Sequence, residues 1–176
     1  MPICRRCTIR LLVLVLLALP ASMRAQKPDS TDAWPQRAWL FFGLGPGSLR
    51  GSLAASYGGS YSPGPLIFTI RHSGADQIWF GGRIEETAFL AGYRSHGKRA
   101  FWSAQLGESA IHRAHTCDCS GGDWTGPTKS AVAFELAAQA NYAVAGVGVD
   151  VFGTLQPPSR RYAGVALVVQ FGWFGE

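Results

Sequence analysis

The stretch from Arg160 to Glu176 reads RRYAGVALVVQFGWFGE. From Ala163 its odd positions are Ala163, Val165, Leu167, Val169, Phe171 and Trp173. Its even positions are Gly164, Ala166, Val168, Gln170 and Gly172. Successive side chains of a strand point to opposite faces, so this is one strand with a bulky apolar face and a small face carrying one amide. The bulky face ends in aromatics. Such a strand suits lipid on one side and a crowded barrel lumen on the other.

The preceding chain supplies seven more segments of the same kind. They are Ala38–Gly45, Leu49–Tyr61, Leu66–His72, Gly82–Arg94, Arg99–Ile111, Ser130–Val144 and Gly146–Leu155. Turn signals such as Gly45-Pro46-Gly47 and Ser62-Pro63-Gly64-Pro65 separate them. Ser73–Gln77 is expected to be a loop, and His112–Lys129 a long polar one. An even count, strand lengths near those needed to cross a bilayer, and short connections point to an all-β, eight-stranded, antiparallel up-and-down transmembrane β-barrel. With the N-terminus in the periplasm, strand parity puts the longest connection, five to six, on the outer side. That is where such barrels carry their long loops. Closure also removes both sheet edges.

The N-terminus is a different kind of sequence. Arg5, Arg6 and Arg10 precede an unbroken apolar run, Leu11–Leu19, and Ala21-Ser22-Met23-Arg24-Ala25 follows Pro20. A basic start, a short apolar core and small residues beyond it make a secretory signal over residues 1–25. Removing it takes four arginines and no acids, so the formal charge of +5 falls to +1. The basic balance therefore belongs to the signal and gives no argument for nucleic acid. Residues 26–37 read as a flexible lead-in and 38–176 as the barrel.

In these features the chain resembles the small eight-stranded outer-membrane β-barrel proteins of Gram-negative-type bacteria. The resemblance covers about residues 38–174. The aromatic ending Phe171-Gly172-Trp173-Phe174 is similar to the terminal strand that the outer-membrane assembly machinery reads in such families, with Gly175-Glu176 added beyond it. The resemblance implies a bacterial outer-membrane location, with membrane lipid and that machinery as partners. The alternative is a secreted soluble ligand-binding barrel, whose polar face points outward. The small faces here carry Ser, Ala, Gly and Gln with few charges, which suits a narrow lumen better than a water-facing wall.

Two constellations carry chemistry. Arg71, Glu86, Glu135 and Asp150 share the inward parity and are expected to meet as a lumen charge cluster that plugs the barrel. Unpaired, each would be costly to bury. The second is His112, His115, Cys117 and Cys119. In an oxidising compartment the two cysteines are candidates for a disulfide, and all four residues for a soft-metal site, although the spacing matches no standard zinc motif. His72 and His96 fall near connections and read as solvated. Arg160-Arg161 fall near the outer rim, within reach of lipid headgroups. No catalytic triad, phosphate loop or nucleotide fingerprint is present, and no cofactor is implied. The expected function is non-enzymatic, structural or surface-interacting, with loop 112–129 as the contact for an extracellular partner. A narrow small-solute channel is the alternative.

Overall fold

Eight long strands, each paired with two antiparallel neighbours, close on themselves. The computed structural model describes residues 34–48, 52–77, 82–97, 99–115, 124–155 and 162–174. The strands are β1 (Arg37–Pro46), β2 (Ser52–Ser62), β3 (Leu66–Gln77), β4 (Gly82–Arg94), β5 (Ala100–His115), β7 (Lys129–Tyr142), β8 (Ala145–Thr154) and β9 (Ala163–Trp173). A two-residue strand, β6 (Trp124–Thr125), is added to the end of β5. Each long strand pairs with the next in sequence, β1 pairs with β9, and no crossover occurs.

The stagger of the barrel can be followed through its pairs. Ala38 leads through Tyr61, Phe68, Ala91, Leu106, Phe134, Gly153 and Ala163 to Ser48, whose amide donates to the Ala163 carbonyl over 2.7 Å. One circuit therefore climbs ten residues, from 38 to 48. Eight strands with that stagger tilt by about 45°, and each residue adds about 2.4 Å of height.

Alternation decides which side chains go where. On β9, Leu167 is 75% exposed and Phe171 62%, whereas Ala166 and Gln170 are fully buried. The same rule holds on β1, with Leu40, Phe42 and Leu44 outward and Trp39 and Phe41 inward. The apolar residues thus form the outer wall, the reverse of a soluble barrel. The lumen is filled by Ser, Thr, Ala, Gln and a few large side chains. At the end where β1 begins and β9 stops, Trp39 packs edge-on against Phe101 at 5.7 Å and beside Phe174 at 6.1 Å.

Three boundaries differ from the sequence reading. β3 runs on to Gln77, so the expected loop at 73–77 is strand, paired with β2 throughout and with β4 as far as Asp76. β5 runs on to His115, so the first four residues of the expected 112–129 loop are strand as well. These extensions are polar on their outward face and show no greasy–polar contrast, which is why periodicity missed them. Finally, β1 starts at Arg37, and Trp34 meets His96 edge-on at 4.9 Å, so the end of the expected lead-in is held against the barrel.

The β7–β8 hairpin turns through Ala143 and Val144, with Ala143 at φ 50°. A first central residue at positive φ is the position that favours Gly in a two-residue hairpin. Ala143→Gly is therefore expected to raise the denaturant midpoint of unfolding by about 1 kcal/mol, the strain of an L side chain in that region. An unchanged or lower midpoint counts against the strain.

Candidate functional site

The lumen charges lie on four strands, each at an inward position fixed by strand parity: Arg71 on β3, Glu86 on β4, Glu135 on β7 and Asp150 on β8. Their relative exposures do not exceed 2%. Arg71 is the hub. Its Nη2 donates to Glu86 Oε2 at 2.8 Å, and its Nη1 to Glu135 Oε2 at 3.1 Å and to the Phe134 carbonyl at 3.1 Å. Ser73 Oγ adds a bond to Glu86 Oε2 at 3.0 Å, and Gln105 Nε2 to Glu135 Oε1 at 3.0 Å. The guanidinium lies 5.0 Å from the centre of the Phe152 ring, which in turn packs against Tyr162. Asp150 interacts with the Gln139 side chain and lies within electrostatic reach of Glu135 and Arg71.

Of the four residues, Arg71, Glu86 and Glu135 are joined directly, and Asp150 lies beside them. One guanidinium lies among three carboxylates, and Ser73 and Gln105 add one hydrogen bond each, while Arg71 Nε, Glu86 Oε1 and Asp150 Oδ1 are buried with no hydrogen-bond partner among the described residues. The arrangement is a paired, hydrogen-bonded charge cluster inside the lumen. It lacks the parts of a hydrolytic site: Ser73 faces a carboxylate, while His72 and His112 stand at outward positions.

A second pair of lumen cations escaped the sequence reading. Arg37 and Arg94 are buried at the end where β1 begins and β9 stops. Arg37 lies 4.8 Å from the Phe101 ring centre and donates to the Gly97 carbonyl. Arg94 lies 5.1 Å from the Trp34 ring centre, with Nε on Ser62 Oγ and Nη2 on the Pro35 carbonyl, both at 2.6 Å. Parity alone could have found both: Arg94 aligns with Glu86 and Leu90, and Arg37 with Trp39. Glu108 was missed in the same way. It shares parity with Trp102 and Leu106 and is exposed on the outer wall.

Of the second constellation, His112 is paired with Glu85, and His115 ends β5 opposite Gly82 and Trp124. Cys117, Cys119 and the arginines at 160 and 161 lie outside the described residues. Among the described residues no three His, Cys, Asp or Glu side chains are grouped to hold a metal.

No family model matches this chain, and no curated protein matches it. Solved structures do. The N-terminal β-barrel domain of Pseudomonas aeruginosa OprF is similar with a TM-score of 0.57 at 11% identity, over 80% of this chain and 99% of that one. Ail, the attachment invasion locus protein of Yersinia pestis, gives 0.54 at 8% identity, over 80% and 98%. Neisserial surface protein A gives 0.51 at 13% identity, over 80% and 97%. The chain has the fold of the small eight-stranded outer-membrane barrels. The match spans those structures nearly end to end and leaves about one fifth of this chain outside it.

Proposed function

We propose that the protein is a non-enzymatic β-barrel of a bacterial outer membrane, exported by the signal in residues 1–25, with a structural or surface-contact role. The observation that carries this reading is the combination of an apolar outer wall with a lumen closed by the Arg71 cluster. The wall needs lipid around it, and the cluster seals the path that a channel would use. Membrane lipid is then the first partner. The assembly machinery is the second, reading β9 with its Phe171, Trp173 and Phe174. The segment between β5 and β7 is the contact for an extracellular partner, reduced from 112–129 to 116–128 by the four residues that belong to β5 and by Lys129 of β7. Ail has been solved with the heparin analogue sucrose octasulfate and in a phospholipid bilayer nanodisc, which makes polyanion and lipid contact reasonable first assays.

Two measurements test the reading together. After extraction of the membrane fraction into detergent, the unboiled protein is expected to migrate faster on a gel than the boiled one. In planar bilayers it is expected to show no stable conductance steps. A freely soluble periplasmic protein with no mobility shift sinks the membrane assignment. Regular conductance steps sink the plug and favour the narrow channel.

A further inference from the structure

The outer wall is not equally apolar all the way round. On β7 the outward residues from Tyr142 to Val132 are apolar without a break, and on β9 so are those from Trp173 to Ala163. Eleven positions on a tilted strand span about 25 Å, the height of the apolar band in this class of barrel. On three adjacent strands the run is much shorter. β3 has Leu66, Phe68 and Ile70 and then His72; β4 has Tyr93, Ala91 and Phe89 and then Thr87; β5 has Trp102, Ala104 and Leu106 and then Glu108. Five positions span about 10 Å, and the seven of β5, counted from the outward Ala100, about 14 Å. The stagger does not remove the difference: with tilt included, His72 and Glu108 stand level to within about one residue's rise, and about 5 Å below Leu53 of β2.

The same wall carries a groove of about 470 Å³, bordered by Tyr57, Tyr61, Phe68, Ile70 and His72, with Gly59 at its floor. Its lining is almost wholly apolar. Gly59 creates the space, because a Cβ there would meet only Leu40 Cδ2 at 3.3 Å and the Trp39 carbonyl at 3.8 Å. At the upper end His72 is held in place. Its Nδ1 is 3.0 Å from Thr87 Oγ1, and its ring lies against Tyr57 with centroids 5.0 Å apart. His72 Nε2 makes no hydrogen bond among the described residues, and the ring is half-exposed toward the groove.

We propose that this groove holds one acyl chain of a phospholipid, with His72 Nε2 donating to the ester or phosphate oxygens at its head. The proposal rests on the membrane reading above and adds a specific site to it. The groove is continuous with the lipid-facing wall, so acyl chains are what surround it. It joins an apolar lining to one polar handle at one end, which is the chemistry of a lipid. The handle lies at the level where Thr87 and Glu108 also need polar surroundings. Above that level the wall carries the exposed Arg83–Glu85 ion pair at 2.5 Å. The headgroup layer therefore dips along β3–β5, and the bound lipid sits deeper than its neighbours on the β7–β9 side.

The test uses the full barrel reconstituted in vesicles of phosphatidylethanolamine and phosphatidylglycerol, released in mild detergent and weighed by native mass spectrometry. The wild type is expected to retain one phospholipid. Gly59→Leu fills the groove and is expected to lower retention about tenfold, while keeping the heat-dependent gel shift that reports a folded barrel. His72→Leu is expected to lower it as well, and Leu136→Ala on β7, across the barrel from the groove, to leave it unchanged. A wild type that retains no lipid, or a Gly59→Leu barrel that retains as much, overturns the site. A wild type that does not enter vesicles at all overturns the membrane reading and the site with it.

Discussion

Arg71→Ala is expected to cost the folded barrel about 3–5 kcal/mol, the penalty for breaking a buried ion pair by removing one partner. Arg71 is the hub on which both Glu86 and Glu135 depend, and each carboxylate is almost fully buried. Without the guanidinium, Ser73 and Gln105 supply one hydrogen bond to each carboxylate but no positive charge. Arg71→Lys should recover part of the loss, because an ammonium restores the charge but cannot fork to two carboxylates at once. The decisive companion is the quadruple variant Arg71→Met, Glu86→Gln, Glu135→Gln and Asp150→Asn. It removes the charges together and should recover most of the stability, as replaced buried ion pairs often do. The measurement is the guanidinium midpoint of the gel-shift transition in detergent micelles. An Arg71→Ala midpoint within about 0.5 kcal/mol of wild type would show that the cluster is not the stabilising plug described here.

Much of this barrel was legible in the sequence because its outer wall and lumen differ so strongly in size and polarity. β9 alone shows the contrast: Leu167 and Phe171 on one face, Ala166 and Gln170 on the other. The inward parity of Arg71, Glu86, Glu135 and Asp150 was legible for the same reason, since a charge on an otherwise small face stands out. Legibility failed where the contrast disappears. Beyond His72 the outward residues of β3 are Gly74 and Asp76, and those of β5 beyond Leu106 are Glu108, Ala110 and His112. Polar residues on both faces read as loop, although the backbone pairing continues. The same blind spot hid the short apolar run on β3, because a strand expected to end at His72 cannot show where its outer face turns polar. Arg37 and Arg94 were missed for another reason. They stand at strand ends, where a cation is ordinarily solvated, and only the closed barrel puts aromatic rings over them.

Leu167→Arg separates a lipid-facing wall from a water-facing one more sharply than any change in the lumen. Leu167 is 75% exposed and is the third of six outward residues on β9, so it lies near the middle of the apolar run. A charge at that depth in a bilayer costs about 2–4 kcal/mol, falling to about 0–1 near the interfaces. In water the same exposed position would tolerate arginine to within about 0.5 kcal/mol. The variant is therefore expected to insert poorly into vesicles and to lose its gel shift at lower denaturant. Asp76→Arg, beyond the apolar run on β3, should behave like wild type. The depth dependence is the informative quantity, since a general folding defect would not follow the height of the substitution. If Leu167→Arg and Asp76→Arg prove equally mild in vesicles, the bulky face of β9 does not meet acyl chains. The exposed leucines and aromatics of the wall would then need a protein cover instead.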